Sequence, residues 1–164
     1  MLKTKVLVCD IDNLTDARYF AAWMVDCLSF NLCESATIKL STDQIIEIMN
    51  WVEGPSYALE IDDTLTKDQL FEIISKTNIG ALISDGFTDE LRQAFAECLF
   101  YIKKDNQIKL ASGQGDQYQF VASAGELKAI SLEEGGIYLN AGGEEKTGFK
   151  DFEFFDEVFK YLDD

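Results

Sequence analysis

Cys9 closes the apolar run "KVLVC" (Lys5 to Cys9) at the point where a strand gives way to a helix, with Asn13 and Asp16 supplying a helix start. At the C-terminal end of a parallel strand, an exposed thiolate can act as a general base or nucleophile. Asp10 follows directly, and a carboxylate beside a thiol raises its pKa by like-charge repulsion. Cys27, Cys33 and Cys98 are scattered, no C-x-x-C occurs, and the chain has no histidine. No mixed metal site is expected, and these three cysteines read as small buried hydrophobes in a reducing compartment. The acidic stretches "EIDD" (Glu60 to Asp63) and "YLDD" (Tyr161 to Asp164) read as solvated ends rather than a magnesium site. Arg18 and Arg92 read as surface ion-pair partners.

Charge narrows the ligands. Thirty acidic residues against 14 basic ones give a net charge of -16, which repels polyanions and excludes nucleic acid as an expected partner. A small anion would have to be held locally, by backbone N–H groups or a helix N-terminus. No apolar run approaches the ~20 residues that span a bilayer, and the first residues lack the pattern of a signal peptide. A cytoplasmic protein with no membrane partner is the expectation, as a monomer or homodimer.

The elements that must position Cys9 alternate. "STDQIIEIMNWV" and "TKDQLFEIISKT" carry capping-box spacing at Ser41/Gln44 and Thr66/Gln69, Thr88 precedes "DELRQAFAE", and Leu14, Ala17, Ala21 and Met24 recur at helical spacing. Between these helices lie "KVLVC", "DCLSFNL", "SYALEI" and "GALISDG". Four βα units with apolar strands predict a parallel sheet covered by helices. After the fifth strand, "CLFYIKK", the next strand-like run "IKLAS" follows too soon for a crossover helix, so a hairpin or irregular excursion is predicted. "YQFVAS", the short helical "AGELKAI" and the strand "GGIYLNAGG" come next. A closing helix carries the stripe Phe152, Phe155, Val158, Phe159 and Leu162. Residues 1–164 form one expected domain, about long enough for a single core.

Two segments at opposite ends carry a family resemblance. "KVLVCDIDNLTDA" resembles the first strand and turn of phosphoribosylanthranilate isomerase, K-x-K-I-C-G-I-T-x-x-x-D-A. "GIYLNAGGEEKTGFKD" with its following helix is similar to that family's last βα unit. The resemblance implies a (β/α)8 TIM-barrel fold. Shortness relative to a complete barrel of about 200 residues or more implies a shortened member, incomplete or distorted between strands 5 and 7.

It also implies an intramolecular aldose–ketose isomerase of tryptophan biosynthesis, which performs an Amadori rearrangement of a phosphorylated ribosylamine without a cofactor. On that reading Cys9 is the catalytic base. Gly125, Gly142 and Gly143 bind the substrate phosphate, and Asp10 and Lys39 are candidate substrate contacts. Glu145, Gly148, Lys150 and Asp151 would shape the last turn.

The departures imply an alternative, a catalytically degenerate homologue serving as a binding, regulatory or subunit protein. Asp10 replaces the family's glycine, Thr37 stands where a substrate-holding arginine is expected, and "ISDG" lacks the fourth strand's histidine. No aspartate ends the strand where the general acid belongs; Asp116 lies beyond the following turn.

Overall fold

The computed structural model describes residues 1–133, 135–142 and 152–163. Eight strands close a barrel in chain order: β1 (Val6–Cys9), β2 (Cys27–Asn31), β3 (Ser56–Glu60), β4 (Ala81–Ser84), β5 (Leu99–Lys104), β6 (Gln107–Leu110), β7 (Gln117–Phe120) and β8 (Gly136–Asn140). β8 pairs with β1 in the register Val6↔Ile137 to Cys9↔Asn140, so no edge is left open. Six helices are described: α1 (Leu14–Ala22), α2 (Thr42–Trp51), α3 (Lys67–Lys76), α4 (Asp89–Ala94), α5 (Ala124–Ala129) and α6 (Glu153–Leu162). They follow β1 to β4, β7 and β8.

The missing helices are replaced by a reversal of direction. β6 runs antiparallel to both β5 and β7, while every other pairing is parallel. Lys104 pairs with Gln107, leaving a two-residue turn at Asp105 and Asn106, both with positive φ (53° and 60°). That is the type I′ geometry a hairpin favours, and Asp and Asn are the residues after glycine that tolerate it. The expected shortening between strands 5 and 7 therefore takes the form of an antiparallel strand inside a closed wall.

Alternation along each strand sorts side chains into two cores. Val6 and Val8 point outward into the layer shared with the helices, which also holds Leu28, Phe30, Leu59, Leu82 and Phe159. Leu7 and Cys9 point into the barrel with Ala58, Ile83, Tyr101, Ile108, Tyr118 and Tyr138. Both capping boxes form, with Ser41 and Thr66 accepting from the Gln44 and Gln69 N–H groups. α6 lies across α1, where Phe159 stacks on Trp23 at 5.3 Å and Phe155 meets Phe20 edge-on at 5.0 Å.

Two expectations change in detail. Met24 is not on the buried stripe of α1: the helix ends at Ala22, and Met24 sits in the left-handed region at φ 60° with 67% exposure. Arg18 lies 5.7 Å from the Trp51 ring, so it tethers α1 to α2 by a cation–π contact. No described helix is long and apolar enough to cross a membrane.

Candidate functional site at the C-terminal mouth of the barrel

Parallel strands deliver their last residues to one rim. Cys9, Asn31, Glu60, Ser84 and Asn140 end β1, β2, β3, β4 and β8 there, and the end of β5 brings Lys103 beside Glu60 and Ser84. Cys9 is only 1% exposed and sits in the barrel's interior core with Tyr138. Burial pushes its thiol far above the ordinary range; Lys103 opposes that shift, while Glu60 and Asp10 add to it. At neutral pH the sulfur is a thiol.

The charged centre of the mouth is the Glu60–Lys103 pair: Glu60, expected as part of a solvated acidic end, is instead buried at the end of β3, and Lys103 carried no expectation. Lys103 Nζ donates to Glu60 Oε1 at 2.7 Å and lies 5.6 Å from the Tyr138 ring. The Cys33 thiol donates weakly to Glu60 Oε2 at 3.9 Å. Burial works against the Lys103 charge, while the Glu60 carboxylate supports it through both the hydrogen bond and its charge, and the ammonium is held above its usual range. Around this pair lies a cavity of about 360 Å³, with Ser84, Asn106 and Tyr138 in its wall. Parity is the available signal: Glu60 and Lys103 share the inward-facing parity of Ala58 and Tyr101 on their strands.

A larger cavity, about 650 Å³, opens beside β1, β2 and β8 and is lined by Asp10, Asp12, Asn31, Thr37, Asn140 and Gly142. Asp10 has φ 59°, which explains a glycine at this place in the resembling motif and why an aspartate can stand in. Asn31 Nδ2 donates to Asp10 Oδ1 at 2.7 Å, and Asn31 Oδ1 accepts from the Cys33 N–H at 2.9 Å.

At both expected phosphate turns, backbone N–H groups among the described residues are already bonded to the protein's own oxygens. Gly142 N–H donates to Asn140 Oδ1 at 2.8 Å. A Cβ built on Gly142 would lie 3.5 Å from Asp10 Oδ2, which places a carboxylate against the turn. At the other turn, Gly125 is exposed in the first turn of α5. There Ala122 N–H donates to Glu126 Oε2 at 2.9 Å, and Glu126 N–H donates to Ser123 Oγ at 3.2 Å. Gly143, Glu145, Gly148, Lys150 and Asp151 lie outside the described residues.

Lys39 stands apart from both mouth cavities. It lines a groove beside α2 and α3 and acts on Asp62, while Thr37, two residues earlier, faces the larger mouth cavity. Asp116 is at the opposite end of the barrel, accepting from Lys5 Nζ at 2.9 Å, so it is not the acid of a site at this rim. Among the described residues no group of three or more His, Cys, Asp or Glu is placed to hold a metal ion.

A closed eight-stranded α/β barrel whose strand ends converge on one polar mouth defines the class of fold. No protein-family model and no curated protein matches the sequence. Solved structures do match in fold, across nearly the whole chain. The phosphoribosyl anthranilate isomerase of Thermus thermophilus aligns with a TM-score of 0.69 at 15% identity, covering 97% of this chain and 98% of that one. TrpF from Jonesia denitrificans gives 0.71 at 15% identity, covering 97% and 96%. The phosphoribosyl anthranilate isomerase of Thermotoga maritima gives 0.68 at 14% identity, covering 97% and 98%. At such identities the likeness is one of fold.

Proposed function

We propose that this chain is a binding protein built on the phosphoribosylanthranilate isomerase fold. It takes a small polar ligand, neutral or cationic, at the C-terminal mouth and does not perform the Amadori rearrangement. The observation that carries this reading is the filling of the phosphate turns. Asn140 and Glu126 oxygens accept the N–H groups of Gly142 and Ala122, and the Asp10 carboxylate lies against Gly142.

An incoming phosphate would have to displace these oxygens and sit beside a like charge. A buried, protonated Cys9 thiol supports the same reading, because a general base must be deprotonated and within reach of its proton. Asp10, Asp12, Asn31 and Asn140 instead offer acceptors and amides to hydroxyl or ammonium groups. Four free cysteines suit action in a reducing cytoplasm.

The second reading, an active isomerase of tryptophan biosynthesis, rests on the whole-length fold likeness and on Cys9 at the end of the first strand. It would use Cys9 as base, with phosphate at Gly125, Gly142 and Gly143. One assay separates the two. Purified protein given phosphoribosylanthranilate is expected to show no turnover above the uncatalysed rate, and millimolar inorganic phosphate is expected to leave its melting temperature unchanged. Turnover that disappears in Cys9→Ala would overturn the proposal.

A further inference from the structure

The opposite end of the barrel holds a cavity of about 460 Å³, within the ~300–1,000 Å³ usual for small-molecule sites. Barrels of this kind normally fill their interior with layers of bulky branched side chains. Here Ala58 and Ala81 pair in register on adjacent strands and both line the space. A Cβ built on Gly80 at the rim would meet nothing within 4 Å. A six-residue connection, 111–116, joins β6 to β7 at this end of the barrel and contributes Asp116 to the lining. The cavity reaches the interior core through Leu7, Ile83, Tyr101 and Tyr118, and the two tyrosine rings stand 6.3 Å apart.

Its polar groups are few and sit on the rim. Lys5 is engaged by Asp116 at 2.9 Å. Asp26 accepts the Val6 N–H through Oδ2 at 2.7 Å and lies within electrostatic reach of Lys5, so two carboxylates and one ammonium leave the rim net negative. The remaining titratable lining groups are neutral at pH 7. Burial raises the phenols of Tyr57, Tyr101 (to about 12) and Tyr118, and raises the Cys27 thiol to about 11.

We propose that this cavity is a second ligand site, distinct from the mouth, for a small cationic aromatic molecule of the arylalkylamine class. The ring lies over Ala58 and Ala81 against the edges of the Tyr101 and Tyr118 rings, and the ammonium stays at the rim with Asp26. Aromatic pairing favours offset or edge contacts with the two phenol rings. The net rim charge, within the field of a chain carrying -16, rejects the matching carboxylate.

The test titrates the full ¹⁵N-labelled chain with 2-phenylethylamine and with phenylacetate, which share a ring and differ in charge. Amide shifts at Ala58, Ala81, Tyr101 and Tyr118 should saturate at about millimolar amine, with phenylacetate at least about tenfold weaker. Ala81→Leu fills the cavity and should weaken the amine by about tenfold or more. Should Ala81→Leu not fold, Asp26→Asn, which keeps an acceptor for the Val6 N–H, should cut the preference between the probes to about threefold or less. Absence of shifts at these amides up to about 20 mM amine, equal binding of phenylacetate, undiminished binding to folded Ala81→Leu, or an unchanged preference in Asp26→Asn would each overturn the assignment.

Discussion

Replacing Glu60 by Gln removes the charge opposite the Lys103 ammonium while keeping the side chain's length and an oxygen acceptor, and the structure sets the size of the effect. The Glu60 side chain is 12% exposed and that of Lys103 29%. Exposed pairs contribute about 0–1 kcal/mol, whereas removing one partner of a fully buried pair costs roughly 3–5 kcal/mol. A pair of intermediate burial, with the Tyr138 ring still facing the ammonium, falls between, at about 2 kcal/mol. For a chain of 164 residues that is a drop of about 4–8 °C in melting temperature.

Thermal and urea unfolding of Glu60→Gln, Lys103→Met and the double variant form a cycle. Each single change strands one partner and the double change strands neither, so the coupling should be about 2 kcal/mol. Because Lys103 is held above its usual range, the wild-type advantage over Lys103→Met should be full from about pH 7 to 9. It should then drain as pH climbs past about 10.4, where the unfolded lysine loses its proton first. A coupling below about 0.5 kcal/mol, or a gap that does not change at high pH, would refute the view that this pair organises the mouth.

Other consequences are quickly measured. Cys9, Cys27 and Cys33 all keep their protons in the fold beyond the ~8.5 of a free thiol, with Cys27 and Cys33 held to about 11 and about 12 by burial. Above that pH the unfolded chain binds fewer protons, so stability should fall as pH rises from about 8.5 to 11. The decline should be shallower in Cys9→Ala, and an identical slope would count against a buried neutral thiol. Asp10→Asn keeps a residue that tolerates φ 59° while removing the carboxylate beside Gly142. It should tighten inorganic phosphate binding by about 5- to 100-fold in calorimetric or NMR titration, and a wild-type chain that binds phosphate as well as the variant would contradict the argument. Ser29 Oγ is buried without a hydrogen-bond partner among the described residues. Ser29→Ala should therefore be neutral or stabilising by up to about 1 kcal/mol in urea unfolding, and a clear loss would mean that the hydroxyl is bonded.

Why some of this can be read from the chain and some cannot follows from the range of the interactions. The capping boxes at Ser41 and Thr66 act over three residues, and strand runs such as "VLVC" are apolar because both faces are buried; such signals are local. Even the hairpin after β5 follows from a missing crossover length and the Asp105–Asn106 turn. Glu60 and Lys103, by contrast, are 43 residues apart, and only barrel closure brings them together. The pairing of β3 with β4 likewise sets two small side chains, Ala58 and Ala81, side by side on the inner wall, a shortage of volume that neither segment shows alone.

Asp10 joins the two ranges. The turn after β1 demands a left-handed residue, a backbone requirement that glycine, asparagine or aspartate each meet. An aspartate satisfies the fold and finds a partner in Asn31, yet it lays a negative charge against the Gly142 turn. The backbone geometry is thus preserved by the same substitution that disfavours an anion. Strand pairing and the two hydrophobic cores place no constraint on that charge, so conservation of the barrel carries no information about the ligand at its mouth. That information lies in the charged residues at the rim, Asp10, Glu60 and Lys103.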